Sequence, residues 1–95
     1  MFRFKRSIGV GYREQGCVYF ISRRYPELSA EKRKRIRELC RAAGGAYHKA
    51  VLEYVTTDAE AVTVCEKHHV SISTLERAVR RYYTAFAAQL KEFGL

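Results

Sequence analysis

Apolar residues recur three and four positions apart over most of the chain, the spacing that places side chains on one face of an α-helix. The pattern is clearest at Ile36, Leu39, Cys40 and Ala43, with Ser29 placed to cap the segment and Gly44-Gly45 to end it. A second run, Tyr47, Ala50, Val51 and Tyr54, follows at once, so the two segments are expected to fold back as a hairpin of helices. Thr57-Asp58-Ala59-Glu60 has the form of a capping box and predicts a short helix from Asp58 to about Lys67, broken at His68-His69. The last run begins near Ile72 and carries Leu75, Val79, Tyr82, Phe86, Leu90 and Phe93, which predicts one long helix reaching almost to the end. Residues 12–25 are ambiguous. Cys17-Val18-Tyr19-Phe20-Ile21 suits a strand by residue type and a helix by length and charged flanks; the helix is the preferred reading, stopped by Pro26. Phe2 and Phe4 alternate weakly before Gly9-Val10-Gly11, which reads as a flexible arm over residues 1–11.

These elements predict an all-α fold, a small bundle of about five helices in a single domain over residues 1–95. Ninety-five residues hold one core and exclude a multidomain enzyme, while 47% hydrophobic against 29% charged residues exclude a disordered chain. One proline and six glycines argue against collagen-like or turn-dense architectures. Cys17, Cys40 and Cys65 are an odd, widely spaced set with no secretory signal before them, which points to a reducing cytoplasm. No apolar stretch approaches the ~18 residues of a membrane span, so no membrane partner is expected.

The formal charge of +8 is large for this size and points to a polyanionic partner. It is unevenly spread: residues 1–41 hold 12 basic and 4 acidic groups, whereas residues 42–70 hold 2 and 4. Residues 61–82, AVTVCEKHHVSISTLERAVRRY, combine a short helix, a tight turn ending in Val-Ser and an amphipathic helix. Through Val64, Cys65, Val70, Ser71, Thr74, Leu75 and Ala78 this stretch resembles the helix-turn-helix superfamily of bacterial DNA-binding proteins, sigma-factor-like and mobile-element-associated regulators among them. The resemblance covers about 22 of the 95 residues. It implies that Cys65 lets the helices cross closely, that Val70 plugs the core after the turn, and that Ser71 caps a recognition helix. It departs from the family at His69, where glycine is usual because the backbone there takes positive φ. Ser73-Thr74-Leu75-Glu76 forms a second capping box, which would start the recognition helix two residues later.

The resemblance implies double-stranded DNA as partner, read in the major groove by Ser71, Ile72, Ser73, Glu76, Arg77 and Arg80. Arginine grips guanine O6 and N7 with two parallel bonds, which makes Arg77 and Arg80 the leading base-reading residues. Ser73 suits a base or a phosphate, and Ile72 a thymine methyl. Arg81, Lys32, Arg33, Arg23 and Arg24 are candidates for phosphate contact, although a basic run that surrounds its helix is commonly a solvated face. Tyr82 and Tyr83 read as core rather than as base-stacking residues. No nucleophile has a base and an orienting group nearby in the sequence, and no phosphate-binding glycine loop is present, so neither an enzyme nor a cofactor is expected. Two other readings stand beside DNA binding. One is a protein-interaction module docking onto transcription machinery through the bundle. The other is a zinc-binding domain using Cys65, His68 and His69 with Cys40 or His48, which lacks paired ligand spacing. The apolar far end of the last helix also suggests a homodimer through Phe86, Leu90 and Phe93.

Overall fold

The computed structural model describes residues 9–94. It contains helices α1 (Tyr12–Arg23), α2 (Ala30–Gly44), α3 (His48–Thr56), α4 (Ala61–His68) and α5 (Ile72–Ala87), joined by 3-10 turns at Tyr25–Glu27 and Gly45–Tyr47 and followed by one at Leu90–Phe93. Among the described residues there is no strand. The fold is all-α, and the ambiguous segment is helical. Most of the flexible arm expected over residues 1–11 lies outside the described residues.

Helix boundaries follow local chemistry. Ser29 caps α2 by accepting from the Lys32 N–H, and at the other end the Gly45 N–H donates to the Arg41 carbonyl from a left-handed backbone, φ +55°. Gly44, one residue earlier, serves a different purpose. A Cβ there would lie 2.8 Å from Val51 Cγ2, so its missing side chain is what lets α2 and α3 close into the expected hairpin.

Two boundaries differ from those the sequence predicts. Helix α4 begins at Ala61, three residues after Asp58, and its first turn has no side-chain cap. The Thr57 hydroxyl donates instead to the Glu53 carbonyl at 2.6 Å and accepts from the Ala59 N–H at 3.2 Å. Thr57 therefore finishes α3 and shapes the loop, which leaves no capping box. At the C-terminus, α5 stops at Ala87, and the chain turns so that Phe93 packs on Phe86 with ring centroids 4.6 Å apart. Arg35 of α2 fixes this turn by donating to Gln89 at 2.6 Å and pairing with Glu92. The apolar stripe is thus folded inward rather than carried on one long helix. Leu75, Val79, Tyr82, Phe86 and Phe93 are all buried within a single chain, and Leu90 packs against them, so the face that suggested a homodimer is already covered.

The core is continuous through all five helices. Helix α2 runs antiparallel to α5: Arg35 meets Gln89 and Glu92 at one end, and the Ala43 carbonyl accepts from Arg81 Nε at 2.9 Å towards the other. Tyr82 lies fully buried with its hydroxyl 2.7 Å from that of Ser22 on α1, as a core residue. Among the described residues no helix is long and apolar enough to cross a membrane.

Candidate nucleic-acid interface

The turn between α4 and α5 places the candidate reading residues. His69 takes the left-handed conformation, φ 55° and ψ 49°, where the family resemblance calls for glycine. It is the non-glycine residue with positive φ among those described, and histidine is among the side chains that enter this region most readily. The Val70 N–H donates to the Cys65 carbonyl at 3.0 Å, closing the end of α4, and Val70 is buried in the core. Ser71 then caps α5 by accepting from the Thr74 N–H at 3.2 Å, so α5 starts at Ile72 and the alternative start at Ser73 is not used. Glu53 of α3 holds α4 from behind. Its carboxylate accepts from His68 Nε2 at 2.9 Å and pairs with Lys67 Nζ at 3.0 Å; these bonds, His68 first, draw the carboxyl below its ordinary pKa.

The six predicted reading residues come together. Leu75, Ala78, Val79, Tyr82 and Phe86 occupy the inner face of α5, which leaves Ser71, Ile72, Ser73, Glu76, Arg77 and Arg80 exposed along its first turns. Ser73, Arg77 and Arg80 fall at offsets of 0, 4 and 7 and share the middle of that outer face. Glu76 lies towards α4, where its carboxylate adds to burial in pushing up the Cys65 thiol. Neither Arg77 nor Arg80 makes a side-chain hydrogen bond or ion pair among the described residues, whereas most other arginines are committed within the fold.

The predicted phosphate contacts are not brought together. Arg81 adjoins the reading face but spends its Nε on the Ala43 carbonyl. Arg23 pairs with Asp58 and lies 5.3 Å from the centre of the Tyr19 ring, with Nη1 donating to the Tyr19 hydroxyl at 2.9 Å. Arg24 pairs with Glu27 at 3.3 Å, beyond the C-terminus of α1. Arg33 donates to the Leu28 carbonyl and so secures the entry to α2. Lys32 lies at the same end of α2, and the antiparallel packing sets that end beside Gln89. Sixteen residues of α5 and its exit, about 24 Å at 1.5 Å per residue, separate that level from Ser73. The basic run on α2 and the reading face occupy opposite ends of the bundle.

The residues of the zinc reading are also apart in role. Cys40 and Cys65 are buried, His68 is held by Glu53, and His69 is exposed on the turn; no group of three metal-ligating side chains forms among the described residues.

Helix α1 holds the residues the sequence reading missed. Gln15 and Ser22 face the interior at 1% exposure each, while Tyr12 and Phe20 stand outward at 68% and 57%. The available signal was the unbroken run Val18-Tyr19-Phe20-Ile21, which must put apolar side chains on more than one face of any helix. Comparison of the chain with protein-family models, curated proteins and solved structures finds no match.

Proposed function

We propose that the protein binds double-stranded DNA by laying the first turns of α5 in the major groove, and that it serves in the cytoplasm as a bacterial transcriptional regulator or mobile-element accessory protein. The observation that carries this reading is the state of the arginines. Arg23, Arg24, Arg33, Arg35, Arg37 and Arg81 each hold a partner within the fold, but among the described residues Arg77 and Arg80 stand side by side on an exposed helix face with none, whereas Arg13 and Arg41, also without one, stand singly on other helices. Guanidinium groups presented in this way suit the two acceptors of guanine, and the flanking serines suit phosphate or base edges. The left-handed turn at His69 and the Ser71 cap support the same reading, because they set α5 against α4 as a recognition helix requires.

A titration of the full chain against labelled random duplex at several salt concentrations tests it. With roughly four to six phosphates neutralised, the log–log slope of affinity against salt is expected near −4 to −5. A flat response would overturn the proposal. Selection of bound sites from a random duplex library then gives the preferred sequence, in which guanines opposite Arg77 and Arg80 are expected.

A further inference from the structure

We propose that Glu76 is the specificity-determining residue of the reading face, its carboxylate accepting from the N4 amino group of a cytosine beside the guanine that Arg80 takes; the inference rests on the DNA-binding mode above. Glu76 is the single acid in the 16 residues of α5 and stands exposed among cations. The ordinary reasons for an acid near a helix start do not apply to it. Ser71 rather than Ser73 caps α5, so Glu76 lies beyond the first turn, completes no capping box and gains little from the helix dipole. Arg80 follows at i+4, the order and spacing at which glutamate and arginine commonly pair on a helix surface. The two form no ion pair, and among the described residues Glu76 has no hydrogen-bond or salt-bridge partner.

The exposed residues of α5 fall into two rows at i, i+4 spacing, and the rows differ in chemistry. Ser73, Arg77 and Arg81 make one row, hydroxyl and guanidinium throughout, which suits phosphate or guanine alike. Ile72, Glu76 and Arg80 make the other. A row with an aliphatic side chain, a carboxylate and a guanidinium does not fit a phosphate strand, because the carboxylate would meet like charge. The major-groove edges of bases do offer such a series of partners: a thymine methyl for Ile72, the cytosine N4 donor for Glu76, and guanine O6 and N7 for Arg80. Glu76 and Arg80 are one turn apart, about 6 Å along the axis, and in a G·C pair the cytosine amino group lies next to the guanine acceptors. A carboxylate at this point discriminates in two ways. It gains a hydrogen bond from cytosine, and it is repelled by the acceptors that guanine or thymine would present in cytosine's place.

The test uses the full chain, the duplex it selects from a random library, and the same duplex carrying N4-methylcytosine, which still pairs but holds a methyl in place of the outward N–H. The natural chain is expected to require cytosine at one position and to bind the methylated duplex about five- to a hundredfold more weakly. Glu76→Ala is expected to lose that factor on the selected duplex and to be indifferent to the methyl group. On random duplex the same variant is expected to bind more tightly, since a negative charge beside the phosphates has gone. Opposite signs on the two duplexes also show that the variant is folded. Glu76→Gln is expected to move the preferred base at that position from cytosine to adenine, whose N6 and N7 suit an amide. Three results would each overturn the inference with DNA binding intact: a selected sequence that Glu76→Ala and Glu76→Gln leave unchanged; a gain by Glu76→Ala that is equal on selected and random duplex; or methylation that weakens the natural chain and Glu76→Ala alike. Absence of salt-dependent duplex binding removes the DNA reading itself, and the role of Glu76 with it.

Discussion

The hydroxyls of Ser22 and Tyr82, 60 positions apart in sequence, meet at 2.7 Å in the interior and join α1 to α5. Each is the other's means of leaving water without losing a hydrogen bond. Tyr82→Phe is expected to lower stability by about 1–3 kcal/mol, because it strands the Ser22 hydroxyl in the core. Adding Ser22→Ala removes the stranded group, so the double variant is expected to cost less than the sum of the two single ones. Urea denaturation of the four proteins measures the difference.

The interior also sets an alkaline limit. Burial pushes the Cys40 thiol up to about 12 and raises the Tyr82 and Tyr83 phenols above their ordinary range. The unfolded chain ionises these groups first, near pH 9 for the thiol and pH 10 for the phenols, while the folded chain keeps them neutral. Their contribution to stability is therefore complete below pH 9 and is lost progressively as the pH climbs towards the folded values. Denaturation midpoints measured from pH 7 to pH 11 are expected to fall above pH 9, and Cys40→Ala is expected to flatten the first part of that fall.

His69 holds a left-handed conformation that glycine enters without a Cβ penalty. His69→Gly is expected to stabilise the fold by up to about 1 kcal/mol, and His69→Val to destabilise it by more than that. Thermal unfolding followed by circular dichroism distinguishes the three side chains. A glycine variant less stable than the natural protein would show that the imidazole contributes something beyond its backbone.

On the proposed DNA mode, α5 and α2 make different contributions. Arg77→Ala and Arg80→Ala are each expected to cost about 1–3 kcal/mol on the selected site and to relax base preference. Lys32→Ala is expected to leave affinity unchanged on every sequence, since its end of α2 lies beside Gln89 rather than beside the reading face. Uniform losses across all three variants would place the whole basic surface in the complex.

Much of this fold was legible because it rests on local rules. Ile36, Leu39, Cys40 and Ala43 form the inner face of α2, and Ser29 and Ser71 cap the helices that their positions imply. The outward set on α5 was legible for the same reason, since periodicity separates Leu75, Ala78 and Val79 from Ser73, Arg77 and Arg80. Competition for one side chain was not legible. Thr57 satisfied the pattern of a cap, yet its hydroxyl went to the preceding helix. The positions of the basic residues depended on tertiary packing: no spacing rule sends Lys32 to the end of the bundle far from Ser73, because that distance is set by the antiparallel run of α2 against α5. The end of α5 was hidden likewise, as Phe93 keeps helical register with Phe86 in sequence but returns to it through a turn that Arg35 holds from another helix.

The paired glycines at the α2–α3 junction answer to unlike constraints, and inheritance should treat them differently. Any side chain at Gly44 drives into Val51, so drift at that position is closed unless Val51 shrinks with it. Gly45 has open space around its Cβ position, but its φ of +55° with ψ of −123° is a backbone that glycine enters without strain and other residues do not. Descendants of this chain are therefore expected to keep glycine at position 45 for its backbone alone, with any change at Gly44 accompanied by a smaller residue at Val51. That coupled pair is a mark by which distant kin of this bundle can be recognised after the rest of the surface has diverged.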